Sequence, residues 1–289
     1  MIDFFYGSPL SFPIMIGCLG LMVGSFLNVV IHRLPIMLDR EWRRDSALFL
    51  GQEPDASGDV IFNLAVPRSC CPACGKAIGA LENIPLLSFM ALRGRCSACA
   101  APIPLRYPMV ELLTAAVSAA VAWHFGLSLH TLAGLVLSWG LIALGFIDID
   151  RQLLPDAITL PLLWLGLLLS VFNLYVDSPT SILGAVSGYL VLWLVFQLFR
   201  LLTGRAGMGY GDFKLLALLG AWQGWTMLPL ILVMSSVAGA IIGGLMIVQG
   251  HRDHRTPIPF GPYLALAGWI TLLWGDALNA AYMAMLVVD

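Results

Sequence analysis

Long apolar runs separated by short polar connections dominate the pattern of the chain. A helix needs about 20 largely apolar residues to cross the ~30 Å hydrocarbon core of a bilayer. Windows of about that length predict eight membrane spans, of which the sixth is the shortest: 12–31, 108–125, 131–148, 157–176, 180–202, 212–225, 227–249 and 260–283. The pattern therefore predicts an all-α, polytopic membrane protein.

Composition supports the same class. The 289 residues are 59% hydrophobic and only 11% charged, and the mean hydropathy is +0.88. In soluble domains about a quarter of the residues are charged, so an ordinary soluble protein is excluded. The lipid bilayer is a predicted partner, and nucleic acid is not. No basic residue precedes the first apolar run, so we expect the first helix to be retained rather than cleaved as a signal peptide.

One segment interrupts the apolar pattern and predicts an inserted polar domain. Residues 33–107 hold nine of the fifteen Lys and Arg residues and five of the six cysteines. The predicted organisation is a first helix at 1–32, the insertion at 33–107 and a seven-helix core at 108–289. The charged, Gly- and Pro-containing stretch 39–59 is expected to be a loosely folded lead-in to the insertion.

The basic residues predict which side of the membrane each loop faces. With eight spans, every Lys and Arg falls on one side and the other side receives none. Because basic loops stay in the cytoplasm, the insertion and the loops near 205–214 and 250–259 are predicted to be cytoplasmic, with both termini outside.

Two C-x-x-C pairs in the insertion predict a metal site. Cys71 and Cys74 form the first pair, Cys96 and Cys99 the second, and 21 residues lie between the pairs. Four thiolates at this spacing fit tetrahedral zinc, and a structural role is favoured over a catalytic one because no coordination position stays open. Disulfides are disfavoured in the cytoplasm. Cys70 adjoins Cys71, and the sequence leaves open an exchange between them.

Two aspartates lie where a charge is costly. Asp148 falls in the last turn of the third span, and Asp212 follows the alternate glycines Gly207, Gly209 and Gly211 at the start of the sixth. The predicted topology brings both to the cytoplasmic rim. Two close carboxylates, one protonated and one ionised, can activate a water molecule to hydrolyse a peptide bond. The alternative is a pair of structural ion pairs, Asp148 with Arg151 and Asp212 with Lys214.

Other acidic residues leave their roles open. Glu111, near the start of the second span, fits either a relay or binding group or a helix-start acid favoured by the dipole. Asp150 is expected to be a solvated loop residue. Asp156 is expected to cap the fourth span.

Taken together, several motifs resemble the type IV prepilin peptidases, which are bifunctional leader peptidases and N-methyltransferases of the Gly-x-Gly-Asp aspartic membrane protease family. The resemblance covers almost the whole chain. Besides the paired C-x-x-C segment, it rests on GSFLNVVIHRLP at 24–35, RYPMVELLTA at 106–115, FIDIDRQLLPD at 146–156, GMGYGDFKLLALLGAW at 207–222 and PFGPYLALAG at 259–268.

The resemblance implies an activity, a location and site residues. Asp148 and Asp212 would be the catalytic aspartates. The substrates would be type IV prepilins and type II secretion pseudopilins, whose short leader is cut on the cytoplasmic side of the bacterial inner membrane. The new N-terminal residue would then be methylated from S-adenosylmethionine.

The resemblance also implies that zinc is bound by Cys71, Cys74, Cys96 and Cys99, and that Gly94 and Arg95 are candidates for methyl transfer. No glycine-rich nucleotide-binding fingerprint follows a predicted strand, so the methyltransferase half rests on the resemblance alone.

Two other functional classes are compatible with parts of the pattern. A proton-coupled secondary transporter would place its acids near the midplane of paired repeats, whereas these aspartates lie at the predicted rim. A zinc-dependent regulatory or thiol-redox membrane protein would make the cysteines primary, and metal chelation would then abolish its function.

Overall fold

The computed structural model describes residues 10–52, 62–79, 81–204, 208–248 and 259–286. Within these ranges the regular structure is helical, which confirms the predicted all-α class. The chain divides into two compact units, residues 1–127 and 128–289. Part of the predicted lead-in (53–59), Gly207, Arg205 and the loop 250–258 lie outside the described residues.

The first unit contains two long helices and, between them in the sequence, a small module that carries the two C-x-x-C pairs. Helix α1 is Ser11–Phe49, a 3-10 helix is Leu81–Asn83, α2 is Leu87–Ala91 and α3 is Arg106–Phe125. Helices α1 and α3 pack side by side. A Cβ on Gly24 would lie 2.7 Å from the Cα of Glu111, so only glycine permits this approach.

Helix α1 is much longer than the predicted first span and corrects one expectation. It runs without interruption to Phe49, through Pro35, so residues 39–49 are helical and not a loose lead-in. Arg33 explains how the helix is anchored beyond the apolar run. Its guanidinium is buried and donates hydrogen bonds to the carbonyls of Asn63 (2.9 Å) and Pro67 (2.7 Å).

The second unit is built around one buried helix. Its elements are α4 Leu129–Arg151, α5 Asp156–Val171, α6 Ser178–Thr203, α7 Tyr210–Gln223, a 3-10 helix Trp225–Met227, α8 Leu228–Val248 and α9 Gly261–Leu286. Every residue of α7 from Asp212 to Gln223 is buried except Lys214. A helix that is apolar on all sides belongs in a core, and α5, α6, α8 and α9 all contact α7.

The helices that correspond to the eight predicted windows differ in length. Among the residues that the structure describes, six helical segments are long and apolar enough to span a bilayer. Helix α5, with 16 residues, ends at Val171, and α7, with 14, ends before Gly224, whose φ of +79° stops the helix. At 1.5 Å per residue, α7 is about 21 Å long. The predicted count of eight spans is therefore not confirmed.

Candidate active site and metal centre

Asp148 is held at the carboxyl end of a buried helix. It lies in the last turn of α4, before Gln152, whose left-handed conformation ends the helix. Only 6% of Asp148 is exposed. The backbone N–H of Gly261, the first residue of α9, donates a hydrogen bond of 3.0 Å to its Oδ2. A buried ionisable group at the end of an apolar helix is a candidate functional residue.

Asp212, in contrast to Asp148, lies at the amino-terminal end of a helix. It is the third residue of α7 and follows Gly209, the N-cap residue. The backbone N–H of Gly209 donates to its carboxyl group, which is the side-chain half of a capping box. The helix dipole also favours an anion at this position. Asp212 is 8% exposed, so its carboxyl group is oriented by the backbone inside the protein.

The carboxyl groups of Asp148 and Asp212 come from two different helices of the second unit. They are close enough for a direct electrostatic interaction. Leu154 lies between the segments that carry them, because a Cβ added at Gly211 would fall 2.8 Å from its side chain and one at Gly261 would fall 3.2 Å from it. The site is therefore assembled from the end of α4 and the starts of α7 and α9.

The alternative of two structural ion pairs finds no support among the described residues. Lys214 binds Asp156 instead, with its Nζ 2.7 Å from both carboxylate oxygens. The same contact shows that the capping expectation for Asp156 is wrong. Pro155 is the N-cap residue of α5 and no side chain caps this helix, because Asp156 at the first helical position points to the lysine of α7.

The four cysteines of the paired motifs converge in the first unit. The Sγ atoms of Cys71, Cys74, Cys96 and Cys99 all lie within 4.8 Å of one another. The Cys71–Cys99 distance is 3.8 Å and the Cys74–Cys96 distance is 4.0 Å. Zn–S bonds of about 2.3 Å in a tetrahedron place sulfurs ~3.8 Å apart. The cluster thus fits a four-thiolate zinc ion.

Two matching turns present these thiols, and they separate Cys71 from Cys70. In the first turn the backbone N–H of Cys71 donates a hydrogen bond to the carbonyl of Lys76. In the second turn the backbone N–H of Cys96 donates to the carbonyl of Ala101. Cys70 immediately precedes the first turn, and Arg95 immediately precedes the second. Each of these two residues forms an isolated β-bridge. Cys70 is outside the thiol cluster, so the four cysteines that converge are the ones that the spacing selects.

A polar network that the sequence did not reveal joins the two turns. Glu82 accepts hydrogen bonds from Lys76 (2.8 Å) and from Ser97, while Gly79 N–H donates to its second oxygen. The hydrogen bonds from Lys76 and Ser97 lower the pKa of Glu82 to about 2. A carboxylate therefore links the first cysteine turn, the second cysteine turn and the 3-10 helix.

Comparison with known proteins identifies the family. Residues 18–125 match the bacterial peptidase A24 N-terminal domain, and residues 135–244 match the type IV leader peptidase family. A protein of Stutzerimonas stutzeri named prepilin leader peptidase/N-methyltransferase is 54% identical over 98% of this chain and 97% of its own length. The chain belongs to the type IV leader peptidase family.

Other relatives extend the same similarity. Proteins with that name from Pseudomonas aeruginosa and Legionella pneumophila are 53% and 45% identical, over 98% and 95% of this chain and 97% and 96% of their own lengths. No solved structure matches the chain. Both aspartates fall within the range matched to the leader peptidase family, and all four clustered cysteines fall within the N-terminal match.

Glu111 has a partner in the insertion. It lies beyond the first turn of α3, so the helix-start alternative does not apply. Its Oε2 accepts a 2.9 Å hydrogen bond from the backbone N–H of Leu86, and the Ser25 hydroxyl of α1 also bonds the carboxyl group. Glu111 therefore connects α3 to the inserted segment through a hydrogen bond.

Gly94 and Arg95 lie between α2 and the second cysteine turn. Gly94 has a φ of +68°, and a Cβ there would lie 3.0 Å from the ring of Phe89. Arg95 is exposed and its backbone forms a bridge with Pro102.

Gly261 is a site residue that sequence reasoning missed. The signal is present in the segment Pro259–Pro262, which supports the family resemblance and the start of the last span but gives no pattern that assigns Gly261 a role. A Cβ on Gly261 would lie 2.7 Å from Oδ2 of Asp148. Glycine is required there because the carboxylate occupies the space of a side chain.

Replacing Gly261 by alanine is expected to lower leader cleavage about 10²-fold, since a displacement of ~1 Å at a catalytic group costs about that much. The matched control is Gly244→Ala in α8, where a Cβ would meet nothing within 4 Å. Cleavage of a prepilin peptide, followed by mass spectrometry, measures both. An unchanged rate in the Gly261 variant would show that Asp148 does not need this contact.

Proposed function

We propose that this protein cleaves the leader peptide of type IV prepilins and type II secretion pseudopilins, and then N-methylates the new N-terminal residue. The observation that carries the proposal is the meeting of two buried carboxyl groups, Asp148 and Asp212, in a member of the type IV leader peptidase family. The names of its relatives support both activities. Family membership disfavours the transporter and regulatory alternatives.

The peptidase half follows from aspartic-protease chemistry. One carboxylate removes a proton from a water molecule while the water oxygen attacks the scissile carbonyl carbon, and the protonated partner gives its proton to the carbonyl oxygen. When the tetrahedral intermediate collapses, the amide nitrogen takes up a proton and the C–N bond breaks. The products are a leader with a C-terminal carboxylate and a mature chain with a free amine.

Backbone groups hold both aspartates ready for this reaction. Gly261 N–H fixes one oxygen of Asp148, and Gly209 N–H orients Asp212. Asp148 and Asp212 are the catalytic residues that we propose.

The methyltransferase half starts from the amine that cleavage releases. S-adenosylmethionine, when bound, would supply the methyl group. The described residues contain no strand–helix–strand unit with a glycine-rich turn, so the geometry assigns no residue to this cofactor. Gly94 and Arg95 are the candidates that the family resemblance implies.

The cysteine cluster is proposed to hold one structural zinc ion. Cys71, Cys74, Cys96 and Cys99 would occupy all four positions, so the ion would stabilise the fold of the insertion and would not activate water. The membrane is proposed to be the bacterial inner membrane. The excess of basic residues on one side supports a cytoplasmic position for the insertion and the aspartates.

The proposal is tested by incubating the purified full-length protein with a prepilin peptide and S-adenosylmethionine. Mass spectrometry is expected to detect a shortened peptide that becomes 14 Da heavier, the mass of one added methylene, after longer incubation. Cleavage without methylation would retain the peptidase and overturn the second activity. An intact peptide, with a cleaved product in a parallel reaction of a known relative, would overturn the first.

We expect methylation and cleavage to be separable at Gly94. Alanine there is strained, because a left-handed residue costs about 1–2 kcal/mol and the added methyl group pushes on Phe89. Gly94→Ala should impair methylation and leave the cleavage rate within about twofold of the unchanged protein, a difference below ~0.5 kcal/mol. Gly51→Ala is the matched control, since Gly51 has the same sign of φ (+66°) and nothing within 4 Å of its Cβ position. Loss of both activities in the Gly94 variant would contradict a separate methylation site.

A further inference from the structure

Four large apolar side chains of the insertion are exposed in a regular series. Leu81 is 81% exposed, Ile84 39%, Leu87 65% and Met90 72%, and the series continues across the 3-10 helix and α2 with a spacing of three residues. We call these four residues the apolar stripe. Other apolar residues of the same segment, such as Phe89 and Leu92, are half-buried. The segment is thus amphipathic, with one face turned outward.

A hydrogen bond connects this segment to helix α3. The backbone N–H of Leu86, in the middle of the stripe, donates to Glu111 of α3. Glu111 is the sixth residue of α3, and a rise of 1.5 Å per residue places it about 8 Å along the helix. Helix α3 is long and apolar enough to span a bilayer.

The outer face of α3 at this level is also apolar. Met109 is 64% exposed and Leu112 is 58% exposed, and they flank Glu111 in the sequence. Side chains of this kind on a membrane helix face lipid. The stripe is therefore attached at the level of the first lipid-facing turns of α3 and not beyond the end of the helix.

Charge near the stripe favours a lipid headgroup layer. Residues 62–105 contain four basic side chains and one acidic side chain, Glu82, and Lys76 forms an ion pair with Glu82. Arg93 is exposed and follows α2 by two residues. An apolar face bordered by basic residues is the pattern of segments that lie in the membrane interface, where anionic headgroups attract the basic groups.

We propose that the apolar stripe, Leu81, Ile84, Leu87 and Met90, inserts into the boundary between headgroups and acyl chains of the bilayer. The stripe then anchors the cysteine module to the membrane surface, and Glu111 holds the anchor against the spanning helix. The occupant is lipid, because the Leu86–Glu111 hydrogen bond makes the stripe continuous with the lipid-facing surface of α3. This inference does not depend on the enzymatic activity.

The experiment places a benzophenone amino acid at Leu87 or Met90 of the full-length chain. The protein is reconstituted in vesicles of phosphatidylethanolamine and phosphatidylglycerol, without substrate, and irradiated. The control position is Ala98, which is exposed in the second cysteine turn. Interfacial segments bury their apolar face about 5–10 Å into this layer, so we expect about tenfold more lipid adduct at Leu87 and Met90 than at Ala98. Adducts to protein alone, or equal lipid labelling at all three positions, would overturn the proposal.

A second measurement uses the unchanged chain, so that a folding defect of the variants cannot decide the matter. A phospholipid with a diazirine near its glycerol backbone is included in the same vesicles. After irradiation and digestion, label is expected on the segment 81–92 and not on 96–101. Absence of label from 81–92, with label on the outer face of α3, would show that the stripe is covered by something other than lipid.

Discussion

Replacing Asp148 or Asp212 with asparagine is expected to lower the rate of leader cleavage by about 10³-fold or more, because a positioned acid or base contributes typically 10²–10⁴-fold and here the two act together. Asparagine keeps the size of the side chain and can still accept the hydrogen bond from Gly261 or Gly209. It cannot exchange a proton with water. The substitution therefore removes the chemistry and keeps most of the packing.

The matched controls are Asp150→Asn and Asp156→Asn. Asp150 is exposed near the end of α4. Asp156 binds Lys214 in a partly exposed ion pair, and such pairs contribute about 0.2–1 kcal/mol, so both controls should retain most of the activity. Membrane insertion and zinc content should be equal in all four variants.

Cleavage is followed by mass spectrometry of a prepilin peptide across a range of pH. The rate should depend on two apparent ionisations that belong to the pair and not to either residue. Serine-protease reagents should have no effect. Full cleavage by either the Asp148 or the Asp212 variant would falsify the two-aspartate mechanism.

The helices illustrate how far the sequence predicts this fold. Each of the eight apolar windows overlaps a helix in the described part of the chain, because apolar length is a local property. Helix ends are different. Gly224 stops α7, and Arg33 extends α1 by binding carbonyl groups 30 or more residues away. An apolar window therefore predicts a helix more reliably than it predicts a membrane crossing.

The site shows the same division. The sequence predicts Asp148 and Asp212 on one side of the membrane because two predicted spans, the fourth and fifth, lie between them, and in the structure their carboxyl groups interact electrostatically. The contact of Gly261 with Asp148 joins residues 113 positions apart, and no local pattern encodes it. The sequence predicts Asp156 as a helix cap because capping residues are recognised from their immediate neighbours. Its actual partner, Lys214, lies on another helix and is not visible to such a local pattern.

The metal module was the easiest part to predict, since four thiols at fixed spacing constrain one another. The two turns in the structure differ mainly in the residue that follows each pair, Gly75 or Ala100, and both have positive φ. No sequence pattern predicts that the carboxylate of Glu82 links the two turns. Its hydrogen bonds depend on a folded module, and they connect residues from both pairs.

Losing the zinc ligands is expected to have the second large effect, on folding rather than on the peptidase chemistry. A Cys74→Ser and Cys96→Ser double variant removes two of the four thiols that lie within 4.8 Å of one another. Structural zinc contributes about 10–16 kcal/mol of apparent binding free energy in small zinc-finger peptides, most of it coupled to folding. We expect zinc to fall from one ion per chain to almost none, and the yield of folded protein to fall with it.

Cys70→Ser is the matched control for this variant. Cys70 is exposed and adjoins a ligand, but it lies outside the thiol cluster, so its replacement should leave both zinc content and folded yield unchanged. Elemental analysis of protein purified without chelator gives the stoichiometry, and size-exclusion chromatography in detergent gives the folded fraction. Unchanged yield in the double variant, or zinc loss in the Cys70 variant, would each contradict the proposed structural site. The first result would mean that the network around Glu82 holds the module without metal, and the second that Cys70 is a ligand in solution.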